Sequence, residues 1–109
     1  MLVFHSLSAV TIELPAGVVH GVSGSDLELT CKTSDDSIFT QFAFYKDGTE
    51  VRALGNSKTY TITGPTSSTN KGAYNCIAAD VSNQKSAPTP VKDIDFHSKY
   101  FLIHYLNHK

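Results

Sequence analysis

The chain has 109 residues, of which 40% are hydrophobic and 17% are charged, which fits one small globular domain. A formal net charge of -1 provides no basic surface, so nucleic acid and anionic membranes are not expected partners. The longest apolar stretches, such as residues 100–103, are far shorter than the roughly 20 residues that span a bilayer, so no membrane insertion is expected.

Short runs in which polar and apolar residues alternate, separated by turn residues, predict an all-β domain. In the clearest run, residues 26–32, the side chains of Leu27, Leu29 and Cys31 share one face of a strand. Three further runs repeat the pattern, at residues 41–45, 59–63 and 73–78. The turn residues that follow or separate the runs are Asp47-Gly48, Gly64-Pro65 and Ser82-Asn83.

The two cysteines lie on the inward faces of different predicted strands. Cys31 and Cys76 are 45 positions apart (76 − 31). A bond between them would join two sheets through the core and, in the loop-closure model, contribute roughly 4 kcal/mol by constraining the unfolded chain. The alternative is a pair of buried free thiols in an intracellular β-sandwich.

The residues before the second cysteine resemble a family signature. Residues 70–76, N-K-G-A-Y-N-C, are similar to the D-x-G-x-Y-x-C motif of immunoglobulin-superfamily domains, and the resemblance covers about residues 9–92. It implies that Tyr74 forms the tyrosine corner and that Gly72 supplies the tight crossover turn before strand F. Asn70 stands where the family usually has Asp.

The residues after the second cysteine continue the resemblance. Residues 76–86 are similar to the C-x-A-x-N-x-x-G-x-x-S hairpin that joins strands F and G, with Asp80 for Asn and Asn83 for Gly. Asn83 is expected in the left-handed region, which asparagine adopts readily, and Asp80 is expected to accept hydrogen bonds from backbone amides across the turn.

Residues 42–48, F-A-F-Y-K-D-G, correspond to strand C and the turn after it. The family usually has a tryptophan there that packs on the disulfide, and the resemblance places Phe44 at that position. Phe42, two residues earlier, also faces inward and fills part of the volume that the smaller ring leaves. This stretch is most similar to the extracellular domains of Fc-receptor-like leukocyte receptors.

The resemblance implies an all-β fold, an immunoglobulin-like two-sheet antiparallel sandwich of the C2 or I type with one inter-sheet disulfide, Cys31–Cys76. Only about 11 residues separate strand C from strand E, which leaves room for one short C′ or D strand. The core signature is Phe44, Phe42, Leu29, Gly72 and Tyr74. The implied strands are A (9–14), B (26–32), C (39–46), E (59–63), F (73–79) and G (87–91).

The chain is expected to divide into an N-terminal extension (1–8), the domain itself (9–92) and a C-terminal tail or linker (93–109). The tail is too apolar to be free in solvent. It either packs on the sandwich or a neighbour, or belongs to a truncated or alternatively spliced product, and we expect the latter because the resemblance stops near Val91. Its apolar residues are Phe96, Tyr100, Phe101, Leu102, Ile103, Tyr105 and Leu106.

No pattern predicts catalysis, a cofactor or a metal site. Asp35 and Asp36 are typical of a solvated loop, and His104 and His108 lack a neighbouring Cys, Asp or Glu that would complete a metal site. Asp93 and Asp95 are too few for a calcium site of the cadherin type. We therefore expect a chain that is not an enzyme and that has no cofactor and no metal.

The resemblance implies a protein-recognition domain of a cell-surface, immune-type receptor. Its expected partner is a protein, either an immunoglobulin or another cell-surface protein, or a second copy of the domain, and its expected location is extracellular. The alternative is a structural I-type domain of an intracellular cytoskeletal or adhesion array, which the absence of an Asn-x-Ser/Thr sequon favours. An accessory domain of an enzyme is a third, remote alternative.

The alternation also predicts which sheet face meets the partner. The face made by strands A, B, E and D exposes charged residues and threonines and is expected to be solvated. The C-F-G face exposes a small apolar patch, and we expect partner binding there through Ala43, Tyr45, Ile77 and Ala79. The alternative is that Ile77 and Ala79 are covered by Pro88, Pro90 or the tail, or are exposed singly.

Overall fold

The structure is a computed structural model that describes residues 10–34, 38–86 and 90–98. Within these residues the chain forms short strands and one helical turn. In chain order they are β1 (Val10–Glu13), β2 (Gly21–Val22), β3 (Leu27–Thr33), β4 (Phe39–Lys46), β5 (Thr49–Gly55), β6 (Thr59–Ile62), α1 (Ser67–Asn70), β7 (Gly72–Asp80), β8 (Lys92–Ile94) and β9 (Phe96–His97). Among the described residues, no helix has the length and apolar character needed to cross a membrane.

Two antiparallel sheets make up the sandwich. One has the order β1-β3-β6 and the other β5-β4-β7-β8, while β2 and β9 pair in parallel. These sheets correspond to strands A, B and E on one side and C′, C, F and G on the other. Residues 56–58 join β5 directly to β6, so the described chain has a C′ strand and no strand D at this point. The predicted all-β sandwich is confirmed.

The core lies between the two sheets and is formed by the inward residues of the predicted alternating runs. In β3, Leu27, Leu29 and Cys31 are buried, whereas Glu28 and Lys32 between them are exposed. Cys31 and Cys76 form a disulfide with their Cα atoms 5.9 Å apart, which bridges β3 and β7. Neither cysteine is therefore a free thiol, and the alternative of two buried thiols does not hold.

Phe44 is fully buried and lies opposite Cys76 in the β4–β7 ladder. Its ring stacks on Tyr60 of the other sheet, with centroids 5.5 Å apart. The guanidinium of Arg52 covers the Tyr60 ring, with its carbon 5.4 Å from the centroid, and donates to the Thr59 carbonyl at 3.1 Å. This stack closes the side of the sandwich where the chain runs from β5 to β6.

The last strand is not where the sequence placed it. The predicted strand G covered residues 87–91, of which 87–89 lie outside the described residues, and Pro90 and Val91 belong to no strand. The pairing with β7 is made instead by β8, through Gly72–Ile94, Ala73–Asp93 and Tyr74–Lys92. Proline has no N–H to donate to a ladder, which accounts for Pro90 lying outside the described strands.

Residues 93–98 do not behave as a tail. Ile94 and Phe96 are 1% and 2% exposed and belong to the core cluster, and β9 pairs with β2. The expectation that these residues would not be native structure is therefore wrong, because Phe96 supplies buried apolar area that covers Gly21. Residues 100–106 lie outside the described residues. The boundaries at residues 8 and 92 stay predictions, although the strands continue to His97.

A helical turn precedes β7 and was not predicted. Thr66 caps α1, since its side chain accepts a hydrogen bond from the Thr69 amide at 3.3 Å. In return, the Asn70 side chain accepts from the Thr66 amide at 2.8 Å. Four residues without a buried side chain give no apolar period, so the alternation pattern contained no sign of this element.

Candidate protein-interaction face

On the outward surface of the sheet β5-β4-β7-β8, which we call the C′CFG face, three cross-strand rows hold the residues predicted to bind a partner. Residues paired directly across antiparallel strands point to the same side of the sheet, so the ladder register defines each row. The rows are Glu50–Tyr45–Asn75, then Ala43–Ile77, then Gln41–Ala79–Lys85.

Two of the four residues predicted to bind a partner are not accessible. Ala43 is 1% exposed and Ala79 is 0% exposed, so the expectation that both are exposed is wrong. Each methyl group lies in a row beside longer side chains, Ile77 for Ala43 and Gln41 and Lys85 for Ala79. A methyl group is shorter than these neighbours, so the two alanines form the floor of the face rather than its contact surface.

Tyr45 and Ile77 are both half-buried on this face, so part of each side chain reaches solvent. The Tyr45 hydroxyl lies 3.5 Å from the Glu50 Oε2 atom, to which it donates. Burial and the nearby Glu50 carboxylate raise the pKa of Tyr45, which keeps the phenol protonated. The face therefore offers one aliphatic and one aromatic side chain, the latter oriented by a carboxylate.

Sequence reasoning missed Glu50 and Lys85 as members of the C′CFG face. Asp47 and Gly48 both have positive φ, 51° and 81°, and form a two-residue turn between β4 and β5. An Asp-Gly pair after an alternating run is a strong hairpin signal, so a strand at residues 49–55 could have been predicted. Lys85 joins the face through a single bridge to Ala79, and no sequence pattern indicates this pairing.

The opposite face of the molecule is polar. In β3 the side chains of Glu28 and Lys32 are exposed, and in β6 Thr61 is exposed. The Asp26 side chain accepts a hydrogen bond from the Gly64 amide at 2.9 Å, which ties the start of β3 to the end of β6. This face carries no apolar patch among its described residues, which matches the predicted difference between the two faces.

The turn before β7 is held by two side-chain hydrogen bonds. The Tyr74 hydroxyl donates to the Asn70 carbonyl at 2.6 Å, as a tyrosine corner does. The Asp47 carboxylate accepts from the Ala73 amide at 2.9 Å, and a side-chain carbon at Gly72 would collide with that carboxylate. Burial, with smaller effects from Tyr60 and Asp47, raises the pKa of Tyr74 to about 12, while the Ala73 amide and then Lys46 lower the pKa of Asp47.

The F–G turn has the geometry that the resemblance implied. Asn83 has φ 66°, in the left-handed region. The Asp80 Oδ1 atom accepts hydrogen bonds from the Ser82 and Gln84 amides, both at 2.9 Å. This turn sets the position of Lys85, the next residue, opposite Ala79.

In the described part of the chain, no group of three or more His, Cys, Asp or Glu side chains is arranged to hold a metal ion. Asp93 and Asp95 border a cleft of about 380 Å³ together with Asp47 and Lys71. The predicted loop acids Asp35 and Asp36 and the histidines His104 and His108 lie outside the described residues.

Comparisons with known proteins agree on the fold. Residues 9–92 match the family model described as immunoglobulin domain, whereas no curated protein matches the chain. A solved structure of the second Ig-C2 domain of human Fc-receptor like A is 26% identical, covers 83% of this chain and 98% of its own, and has a TM-score of 0.67.

Two more distant solved structures share the fold alone. The fibronectin(III)-like modules of CbhA from Clostridium thermocellum are 14% identical over 79% of this chain and 94% of theirs, with a TM-score of 0.58. The three N-terminal domains of the outer capsid protein Hoc of bacteriophage RB49 are 18% identical over 82% of this chain and 29% of theirs, with a TM-score of 0.60. With the family model matching residues 9–92, the chain belongs to the immunoglobulin domain family.

Proposed function

We propose that this chain is a non-catalytic, extracellular protein-recognition domain of a cell-surface receptor of the Fc-receptor-like type. The proposal is supported by the likeness to an Ig-C2 domain of Fc-receptor like A and by the disulfide, which persists in oxidising compartments. The observation that carries the binding role is the C′CFG face, where Tyr45 and Ile77 stand above a floor of two buried alanines.

The face suits protein binding because its central residues combine apolar area with low conformational entropy. A tyrosine has two side-chain torsions to immobilise and one polar atom to satisfy, and the Tyr45 hydroxyl already has a partner in Glu50. Ile77 provides an apolar contact beside it, while the other sheet presents charges and threonines. Apolar patches with an aromatic anchor often mark protein contacts.

Binding is tested against purified polyclonal immunoglobulin G and a set of purified cell-surface ectodomains, each immobilised for surface plasmon resonance. For any probe that binds, Tyr45→Ala and Ile77→Asp should each weaken binding about tenfold or more, because both remove contacts near the centre of the face. Thr61→Asp, an exposed change on the opposite sheet, is the matched control and should have no effect. Binding lost with Thr61→Asp and unchanged with the other two would contradict the proposal.

The intracellular alternative, a structural I-type domain, is separated from the receptor proposal by the redox state of the cysteines. Protein purified without reductant should have no titratable thiol under denaturing conditions, since Cys31 and Cys76 are bonded to each other. Two free thiols per chain would contradict the extracellular assignment and favour the structural alternative.

A further inference from the structure

The charges at the two ends of the C′CFG face have opposite sign. Glu50 and Lys85 are both exposed, and they occupy the first and third rows of the face. Glu50 lies one strand beyond β4, whereas Lys85 lies one strand beyond β7 on the other side. These three rows therefore carry an acid at one corner and a base at the diagonally opposite corner.

The middle row, Ala43–Ile77, lies at the midpoint of this diagonal. Successive rows are two residues apart along β4, which is about 6.6 Å, and neighbouring strands are about 4.8 Å apart. On this grid Glu50 and Lys85 are each about 10 Å from the midpoint of the Ala43–Ile77 pair. The diagonal makes an angle of about 45° with the strands. Glu50 and Lys85 thus lie at equal distances on opposite sides of the apolar Ala43–Ile77 pair, and their charges have opposite sign.

We infer that the C′CFG face binds a second copy of this chain, with Glu50 of each copy facing Lys85 of the other. Consider a two-fold axis that passes through the midpoint and lies in the plane of the face, perpendicular to the diagonal. Rotation about this axis places a second copy face to face with the first, so that Glu50 of each copy lies opposite Lys85 of the other. Such a contact is isologous, so both charge pairs form at once. The inference rests on the proposed function, because it names the partner of the same face.

The same operation gives a packing that the side chains can accommodate. It brings the two Ile77 side chains next to each other across the two-fold axis, each over the Ala43–Ile77 row of the other copy, where the Ala43 methyl group does not project from the sheet. Because the diagonal runs at about 45° to the strands, the two sheets cross at roughly a right angle, one of the two common arrangements of packed sheets. No like charges are brought together among these rows, since Gln41 and Asn75 are neutral.

The contact is small, so self-association is expected only at high protein concentration. A patch of about 15 by 20 Å buries roughly 300 Å² per copy, below the size of a standard stable interface. A weak self-association follows, with a dissociation constant of roughly 10 to 1000 μM. Attraction between unlike corners favours the correct register, and it decreases as salt concentration rises.

Charge exchange tests the pairing by sedimentation equilibrium up to about 1 mM protein. Glu50→Lys and Lys85→Glu should each weaken self-association by about tenfold or more, because each brings like charges together twice in the symmetric dimer. An equimolar mixture of the two variants should associate about tenfold more tightly than either alone, since both pairs are complementary in the mixed dimer. The double variant should dimerise like the unmodified chain.

The matched control is Asp93→Lys, which makes the same change of charge as Glu50→Lys on the same face. Asp93 lies opposite Ala73, a row beyond Asn75, and outside the superimposed corners. A chain that stays monomeric at about 1 mM, a mixture of single variants that does not regain association, or an equal effect of Asp93→Lys would each overturn the inference. In any of these cases, probe binding that depends on Tyr45 and Ile77 leaves the proposed function standing.

Discussion

Phe44→Ala should be the most destabilising single change in strand β4, because Phe44 is 0% exposed and contacts both halves of the sandwich. A buried aromatic side chain removes about 150–250 Å² from water, which at about 25 cal/mol per Å² is worth roughly 4–6 kcal/mol. Alanine retains part of that area, whereas the stack on Tyr60 adds about 0.5–1.5 kcal/mol. The expected loss of unfolding free energy is therefore about 3–5 kcal/mol, the range of large-to-small core substitutions.

The loss is measured by urea unfolding at pH 7, with the disulfide intact and the slope of the transition compared among variants. Phe44→Leu, which keeps most of the apolar volume, should lose less, and Val81→Ala should be neutral because Val81 is 84% exposed. A loss under about 1 kcal/mol for Phe44→Ala at an unchanged slope would refute the assignment of Phe44 as the residue that packs on the disulfide.

Three further predictions use the same unfolding measurement. Tyr74→Phe should cost about 1 kcal/mol at pH 7, because the hydroxyl no longer donates to the Asn70 carbonyl. In the unmodified chain the free energy of unfolding should fall as pH rises above about 10 towards 12. The reason is that a tyrosine in the unfolded chain ionises at lower pH than Tyr74 in the folded chain, whose pKa is raised to about 12. A similar fall in the Tyr74→Phe variant would contradict this. Gly21→Ala should lower the free energy of unfolding by about 1–3 kcal/mol, because the added methyl group overlaps the Phe96 ring. If Gly21→Ala lowers it equally in a chain that also carries Phe96→Leu, the ring is not the cause. Because the pKa of Asp47 is lowered in the folded chain, the ionised carboxylate stabilises the fold at pH 7, and this stabilisation is lost as pH falls through the acid range. Asp47→Asn should therefore reduce the loss of stability in acid. The same dependence of stability on pH in both proteins would contradict this role of Asp47.

Sequence information was sufficient wherever one local rule decided the outcome. The alternation of Leu27, Leu29 and Cys31 placed β3, and the motif at residues 70–76 placed the tyrosine corner, because side chains alternate between faces and the crossover turn has a fixed geometry. The Asp80 and Asn83 turn followed from the conformations those residues adopt and the hydrogen bonds they accept. The family fold was consequently predictable from residues 9–92.

Other features depended on contacts between residues far apart in the chain. Phe96 is buried because Gly21, 75 positions earlier, leaves space for its ring, and nothing near Phe96 in the sequence indicates this pairing (96 − 21). Ala43 and Ala79 lie on the outward face by parity, yet they are buried, and each lies beside a longer side chain in its cross-strand row. The opposition of Glu50 and Lys85 depends on the strand order β5-β4-β7 and on the bridge between Ala79 and Lys85. Alternation determines which side of its own strand a residue occupies, whereas the ladder register and strand order determine its neighbours, and only the tertiary structure supplies those.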